Sequence, residues 1–512
     1  VKDGYYIDRI TIEWARRVFP EPVVYFIEHT GGFRTTMMLT NIQDFNYAGY
    51  CRDSDQTVSC QMYLPMPTHS ATTADEALRE VAAFVQVEQA KRFANRALPM
   101  LEAEAGAFAA TVSVWDEMRA GYQRLLETAL EHEGPLRQQA GLLSQRALAY
   151  AGLRMFHHHR AYRELGTEDW RALHQDYARA EQLGVAAEPV KDFLNRDVHD
   201  TSPRIAYARA VLMATCNPNE LTQRQLTFVA FLLERWAGKV EVARAPAEQG
   251  EGALLVPGIS GEPRYLDTRA LAKSLKGRVA LLRKGESPAR LGLGEDCAQP
   301  SCEQLLVFLY RQWCLARPAR ALERRKAAAG AQACNEFAAV HAHVSGRRFR
   351  QPGAADYGDA APLPLERWRI EDESAQGLRL VRTDGAARYA HGQLVGVRPE
   401  DGASFMLAQV RWLMVAASGE LHAGLKLLPG IPSCLAVRPT GLNAQHEKYV
   451  PAFALGAVPA LGAPATLVLP AGWYKPKRVL ELFADAPLRA RLTEVLERGI
   501  DFERVSYEKA RA

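Results

Sequence analysis

From about residue 73 to residue 245, apolar positions recur every three to four residues, which is the spacing of an amphipathic helix. Two helix starts carry the capping-box pattern, Thr73 with Glu76 and Thr222 with Gln225, in which side chain and backbone satisfy each other's hydrogen bonds. Short polar turns separate the periodic stretches. The pattern predicts a helical domain over residues 73–245, arranged as a bundle or as a row of helical hairpins.

The segments on either side of this helical domain differ from it in pattern. Residues 1–72 are rich in β-branched and aromatic residues and predict a β-hairpin that turns at Thr30-Gly31-Gly32. A hairpin of this size cannot bury enough surface alone, so the segment is interpreted as a fragment of a larger sheet. Residues 246–316 begin as a Gly- and Pro-rich linker and continue as helices.

After residue 330 the apolar period falls to about two residues, which predicts short β-strands separated by turns such as Glu400-Asp401-Gly402. Such strands are typical of a small antiparallel barrel, which we place at residues 317–438. Residues 439–512 predict further strands and a final helix over Pro487–Arg498. The predicted fold class is α+β and multidomain: an N-terminal β-hairpin fragment, a helical bundle, a small antiparallel β-barrel and a C-terminal β/α extension.

Charge and composition exclude several classes of protein. The net charge of +4 over 512 residues is too small for a nucleic-acid coat, so no DNA or RNA partner is expected. The uncharged stretch 449–474 contains four prolines, which favours strands and turns over a membrane span. The eight cysteines include no CxxC pair, so we expect reduced, mostly buried thiols in a cytoplasmic protein, without zinc or a disulfide framework.

Two polar clusters flank the start of the predicted barrel. One is Asp372-x-Ser374-x-x-Gly377, and the other contains Arg317, Arg320, Arg324, Arg325 and Lys326. Guanidinium groups bind phosphate in a bidentate manner and stack on flat bases. In the turn, Asp and Ser supply acceptors and a hydroxyl donor, and Gly permits the close approach of a ligand. The two clusters together predict a site for an anionic purine nucleotide.

Together with the short barrel, Arg320-x-x-x-Arg324 and the DxSxxG turn resemble the PilZ family over residues 317–438. The family binds the bacterial second messenger cyclic di-GMP. The resemblance implies that the arginine motif grips phosphates and stacks on guanines, and that the DxSxxG turn contacts guanine. The ligand-binding residues that it implies are Arg320, Arg324, Arg325, Asp372, Ser374 and Gly377.

The motif spacing leaves a second arginine cluster as an alternative. Arg324 and Asp372 are 48 positions apart, more than is usual in the family. Either residues 347–366, which are polar and rich in Pro and Gly, form a surface-loop insertion, or the ligand arginines are Arg347, Arg348 and Arg350. If neither set is correctly placed, the barrel is a degenerate PilZ domain that binds no nucleotide. Trp368 and Trp412 are predicted to be core residues.

The leading functional hypothesis is a non-catalytic cyclic di-GMP effector with a protein partner docked on the helical region. The alternative is a helical interaction scaffold with a degenerate barrel. An enzyme is not predicted, because the sequence contains no GxSxG, HExxH, P-loop or kinase motif. No cofactor or metal is expected either, since the consecutive His157, His158 and His159 would project about 100° apart on a helix.

Residues 1–70 weakly resemble a fragment of the C-terminal sheet domain of Gfo/Idh-type sugar oxidoreductases. The segment carries no Rossmann glycine fingerprint, and none precedes it. The resemblance therefore implies no hydride chemistry.

Overall fold

The protein is described by a computed structural model in which the chain forms two compact units. The first comprises Val1–Asn95, Leu101–Ala161 and Leu165–Pro318, and the second Arg96–Met100, Tyr162–Glu164 and Ala319–Ala512. The structure describes residues 23–27, 36–40, 49–52, 59–62, 69–94, 96–131, 134, 136–195, 198–246, 252–259, 261–294, 297, 301–315, 325–353, 363–440, 447–484 and 486–510.

The first unit is mainly helical. Its helices are α1 His69–Phe93, α2 Glu102–Glu131, α3 Ala140–Arg160, α4 Thr167–Gln182, α5 Pro203–Thr215, α6 Gln223–Trp236, α7 Arg269–Arg283 and α8 Ser301–Cys314. Its strands are β1 Val23–Ile27, β2 Thr36–Thr40, β3 Gly49–Arg52, β4 Ser59–Met62, β5 Val190–Lys191, β6 Asp200–Thr201, β7 Glu241–Ala243, β8 Ala253–Leu255 and β9 Tyr265–Asp267. β1 pairs antiparallel with β2, as predicted for the N-terminal hairpin, and the predicted turn Thr30-Gly31-Gly32 lies outside the described residues.

The sequence signals for helix starts hold at one of the two predicted caps. Thr222 and Gln225 form the capping box of α6, because each side chain accepts a hydrogen bond from the other residue's backbone N–H. The first cap is wrong: α1 begins at His69, so Thr73 lies inside the helix. In the core, Trp313 is 1% exposed and its indole N–H donates to the carbonyl of Leu212 over 2.8 Å, which ties α8 to α5.

The second unit contains two barrels. The first is built from β11 Gly330–Cys334, β12 Glu366–Ser374, β13 Gly377–Asp384, β14 Leu394–Pro399, β15 Met406–Val415 and β16 Leu421–Leu427. These strands follow the order β12-β11-β14-β15-β16-β13, and β13 pairs back with β12 to close the ring. A short strand, β10 Arg325–Lys326, joins the edge of β12 beyond β11. The small antiparallel barrel predicted from the period-two pattern is confirmed.

The second barrel is also closed. Its strands are β17 Pro432–Pro439, β18 Val450–Leu455, β19 Thr466–Pro470, β20 Val479–Phe483, β21 Pro487–Arg498 and β22 Phe502–Lys509. They follow the order β17-β18-β19-β22-β21-β20, and β17 pairs with β20. The uncharged stretch 449–474 thus supplies β18 and β19, as predicted. Among the described residues, no helix is both long enough and apolar enough to cross a bilayer.

The prediction of a helix over Pro487–Arg498 is wrong, because this segment is the strand β21. Its residues are mostly good helix formers, and local propensity favoured a helix. Pairing with β20 and β22 overrides that preference. Alternation of buried and exposed residues, the pattern that predicts a strand, is clear only where the buried Ala490 and Leu492 alternate with the exposed Arg489 and Arg491.

Two further features depart from the sequence predictions. A helix, α9 Phe337–Ser345, lies between β11 and β12, where we predicted only strands and a loop. Its Val340 is fully buried in a cluster with Phe453 and Phe502 of the second barrel. Cys297 and Cys302 form a disulfide, whereas reduced thiols were expected. Among the described cysteines, Cys216, Cys334 and Cys434 are free thiols.

Candidate functional site

The DxSxxG motif forms a tight hairpin between β12 and β13. Ser374 and Gly377 face each other as the last residue pair of the ladder, and Ala375 and Gln376 make the turn between them. The Ser374 hydroxyl donates to the Gly377 carbonyl over 3.3 Å, which closes the turn. The motif is therefore a rigid strand end, with Asp372 two residues before Ser374 on the same strand.

Gly377 is required here because another backbone lies against it. A Cβ built at this position would lie 2.6 Å from the carbonyl oxygen of Leu425 on β16, closer than real Cβ contacts allow. The glycine of the motif thus lets β13 and β16 meet at van der Waals distance.

Replacing Gly377 with alanine is expected to destabilise the first barrel by about 1–3 kcal/mol, because a strand has to move to relieve the overlap. Thermal unfolding measures this as a lower Tm. Gly456→Ala is the matched control, since a Cβ there would meet nothing within 4 Å. Equal melting of the two variants would contradict the close approach inferred at Gly377.

The part of the arginine cluster that the structure describes, Arg325 and Lys326, lies beside this hairpin. In the antiparallel pairing of β10 with β12, Arg325 is opposite Glu373 and Lys326 is opposite Asp372. The Arg325 guanidinium lies 4.0 Å from the Glu373 carboxylate, and its side chain is 85% exposed. An exposed ion pair at this distance is weak, so Arg325 can turn to a competing anion at little cost.

The other members of the first cluster, Arg317, Arg320 and Arg324, lie outside the described residues. Arg324 is joined covalently to Arg325, which is paired to the motif strand.

The alternative cluster occupies a different part of the second unit. Arg347, Arg348 and Arg350 are exposed and follow α9, which packs against β14, β17 and β18. The Ser345 hydroxyl donates to the carbonyl of Arg347 over 2.7 Å. One residue beyond Arg350, the Gln351 amide donates to the carbonyl of Tyr449 over 2.8 Å. These contacts tie the cluster to α9 and the second barrel, whereas β10 pairs with the strand that carries Asp372.

A row of laterally paired residues crosses the first barrel from Asp372, and the sequence analysis assigned none of the others to the site. Asp372 on β12 faces Arg379 on β13, Arg379 faces Gly424 on β16, and Gly424 faces Trp412 on β15. The Trp412 indole covers Gly424, where a Cβ would overlap it. The Arg379 guanidinium carbon lies 5.8 Å from the centroid of that indole ring, within cation–π range.

The two tryptophans that were predicted to be core residues therefore differ. Trp368 is 2% exposed and belongs to the interior cluster of the first barrel, as predicted. Trp412 is partly exposed and packs on Gly424, next to an arginine. A flat aromatic ring beside a guanidinium is an arrangement on which a nucleobase can stack.

A carboxylate holds the arginine of this row in place. Glu371 lies 2.7 Å from the Arg379 Nε and 3.8 Å from an Arg369 nitrogen. It is also 3.8 Å from the Nδ1 of His422, which is nearly buried. The pairing of β12 with β13 shifts between Ile370 and Asp372, so Glu371 lies at a β-bulge. Bulges re-aim side chains, and this one directs a carboxylate towards two guanidinium groups.

Sequence counting from the turn could have found Arg379. Once Ser374 and Gly377 are recognised as the closing pair of a two-residue hairpin, Asp372 must face Arg379, since each step back on β12 is a step forward on β13. No comparable signal identifies Trp412, because the pairing of β15 with β16 and β16 with β13 is non-local.

The second unit thus consists of a small antiparallel barrel that carries the DxSxxG hairpin, followed by a second closed barrel. Residues 57–247 match a family model described as the N-terminal domain of the cyclic-di-GMP receptor FimW, and residues 435–510 match the FimW C-terminal beta-barrel domain. Two separate parts of the chain thus match domain models of FimW, a cyclic-di-GMP receptor.

A curated relative agrees with these domain matches. The chain is 23% identical to the cyclic-di-GMP receptor FimW of Pseudomonas aeruginosa (strain PAO1), over 59% of this chain and 61% of the relative. The chain thus spans about three fifths of the length of that relative. The PilZ family model itself is not among the matches, and nothing in them supports the resemblance of residues 1–70 to Gfo/Idh-type oxidoreductases.

Proposed function

We propose that the protein is a non-catalytic signalling effector that binds cyclic di-GMP on the outer face of the first barrel, beside the DxSxxG hairpin. The observation that carries the proposal is the register of β10 with β12, in which the residue after Arg324 lies opposite Glu373, one position before Ser374. The described end of the arginine cluster, Arg325 and Lys326, thereby lies on the strand next to the one that carries Asp372 and Ser374. The relationship to the FimW receptors supports the same ligand.

The polar atoms of the hairpin suit the edge of a guanine. Guanine presents N–H donors on its Watson–Crick edge, and the carboxylate of Asp372 is an acceptor for them. The Ser374 hydroxyl lies on the same strand, two residues further on, and retains acceptor capacity after donating to Gly377. In this proposal the hairpin recognises the base, and Gly377 keeps the strand close to its neighbour.

The arginines are proposed to bind the phosphates. Cyclic di-GMP carries two phosphodiester charges, and guanidinium groups bind phosphate oxygens through paired N–H donors. Arg320, Arg324 and Arg325 are assigned this role, and Arg379 with Trp412 is assigned the stacking of a base. The alternative cluster Arg347, Arg348 and Arg350 is assigned no ligand contact, because its neighbours belong to α9 and the second barrel.

Titration of the purified protein with cyclic di-GMP, followed by calorimetry, tests the proposal. We expect binding at micromolar or lower ligand concentration that weakens as salt is raised, since both partners are charged. Cyclic di-AMP serves as the matched control, because it has the same phosphates but a different base edge, and it should bind more weakly.

Failure to bind cyclic di-GMP in low salt would contradict the proposal. The alternative would then stand: a helical interaction scaffold whose barrel binds no nucleotide. Phe84 and Val87 favour a partner surface on α1 under either hypothesis, because they lie one helical turn apart and are 41% and 59% exposed.

A further inference from the structure

A second lateral row of residues leads from the DxSxxG hairpin across the first barrel. Ser374 faces Gly377, Gly377 faces Lys426 on β16, and Lys426 faces Gln409 on β15. Gln409 in turn faces Leu394 on β14. Because directly opposite residues of an antiparallel ladder have their Cα atoms about 5 Å apart, each member of the row is an immediate neighbour of the next.

Lys426 connects this row to the second barrel through an ion pair. Its ammonium lies 2.5 Å from the Glu497 carboxylate on β21. The same Glu497 oxygen lies 3.2 Å from an Arg504 nitrogen on β22. Lys426 is 41% exposed, whereas Glu497 and Arg504 are 13% and 10% exposed. One carboxylate thus holds two cations, and the more exposed cation is the one next to Gly377.

The other two residues of this row, Gln409 and Leu394, contact the same part of the second barrel. The Gln409 amide donates to the carbonyl of Arg498 over 3.1 Å. The backbone N–H of Leu394 donates to a carboxylate oxygen of Asp501 over 2.9 Å. Glu497, Arg498 and Asp501 therefore meet the row where β21 turns into β22.

The strand that carries Glu497 is irregular at this point. The pairing of β21 with β22 shifts between Leu492 and Val495 and again between Val495 and Glu497. A bulged strand places its side chains without the constraint of a regular ladder, and bulges concentrate near functional sites. The contact between the barrels thus includes an ion pair on a bulged strand.

We propose that Lys426 is a further ligand-binding residue, held by Glu497 in the unliganded protein and transferred to a phosphate of the bound nucleotide. The proposal rests on the proposed function. Lys426 lies beside Gly377 on the ligand side, and Glu497 keeps Arg504 as a partner when Lys426 leaves it. Because the ammonium cannot serve both anions fully, nucleotide binding weakens the ion pair between the barrels. The second barrel then senses occupancy of the first.

Cyclic di-GMP titration of full-length variants tests this exchange. Lys426→Met should weaken binding about 3- to 10-fold, as expected for a partly exposed charge-assisted contact. Lys426→Arg should retain most of the affinity. Glu497→Gln should tighten binding about 2- to 5-fold, because it removes the competing anion while leaving an acceptor for Arg504. A positioning role without phosphate contact would not produce opposite effects at Lys426 and Glu497.

Two matched controls change the same residue types, Lys and Glu, at positions of the second barrel outside this row. Lys475→Met and Glu494→Gln alter exposed side chains and should leave the affinity unchanged. Unchanged affinity in Lys426→Met and Glu497→Gln, with normal binding by the wild type, would overturn this inference and leave the proposed function intact. Absence of binding by the wild type would overturn both. If Lys426→Met fails to fold, Glu497→Gln alone decides, and no tightening would overturn the inference.

Discussion

The double variant Arg320→Ala/Arg324→Ala is expected to bind cyclic di-GMP at least about 100-fold more weakly than the wild type. Each guanidinium makes charge-assisted hydrogen bonds to phosphate that contribute about 1.5–3 kcal/mol, and every 1.4 kcal/mol changes affinity tenfold. Calorimetric titration at two salt concentrations measures the loss. The salt dependence should also become shallower, since fewer charges remain to be screened.

The matched control for this variant is the triple variant Arg347→Ala/Arg348→Ala/Arg350→Ala, which removes the alternative cluster. It should bind like the wild type, because these residues follow α9 and lie near elements of the second barrel. A loss of binding in the control, with unchanged affinity in the Arg320/Arg324 variant, would move the site to the Arg347 cluster. Arg367→Ala adds a control on β12 itself, at an exposed position five residues before Asp372.

Acidification from pH 7.5 to pH 5 is expected to reduce the free energy of unfolding of the helical unit by about 4 kcal/mol through two histidines. Burial lowers the pKa of His157 to about 3 and that of His159 to about 3. At pH 5 both side chains are still neutral in the folded state, whereas in the unfolded state, where their pKa is 6.5, both are protonated. Stability is therefore full above pH 6.5 and falls as the pH drops towards 3, by about 2 kcal/mol per histidine at pH 5.

The variant His157→Phe isolates one half of this effect. Its ring can keep the contacts that His157 makes with Phe93, Trp115 and Phe156, whose ring centroids lie 5.6–5.9 Å away. Urea unfolding at both pH values should show an acid-induced loss about 2 kcal/mol smaller than in the wild type. Phe156→Leu is the matched control, because it disturbs the same packing without removing a titrating group. A similar pH slope in all three proteins would contradict the assignment to His157.

The parts of the fold that could be predicted from sequence are those governed by local periodicity. The 3.6-residue period identified the helical region, and the two-residue period identified the strands of the first barrel. The N-terminal hairpin followed from its turn, and β18 and β19 followed from the prolines that exclude a membrane helix. In each case the local preference and the tertiary environment agree.

The errors lie where tertiary contacts override local preference. Helix-forming residues in β21 become a strand because β20 and β22 lie on either side of it. The short helix α9 is buried against the second barrel, and its packing rather than its length stabilises it. The disulfide between Cys297 and Cys302 carries no spacing signal of its own. The strand β21 and the helix α9 thus depend on residues distant in sequence, whereas the two cysteines of the disulfide are five positions apart.

The residues of the candidate site also separate into those that the local sequence indicates and those that depend on non-local strand pairing. Asp372, Ser374 and Gly377 could be proposed from sequence because a tight turn is encoded locally, and Arg325 could be proposed because arginines cluster. Arg379 could have been proposed by counting from the turn, whereas Trp412 and Lys426 reach this face only through the non-local pairing of β13, β15 and β16. Lateral neighbours in a barrel are specified by register, which a single sequence shows only next to a turn.

Because the second barrel is closed, another protein can recognise a structural change in it in only a few ways. Strands β17 to β22 pair on both sides around the ring, so their ladder leaves no unpaired edge for an incoming strand to extend. A binding protein that recognises this barrel must therefore contact side chains or the loops at its two ends. Small shifts of the β21–β22 turn would alter such a surface directly, without any strand being added or withdrawn.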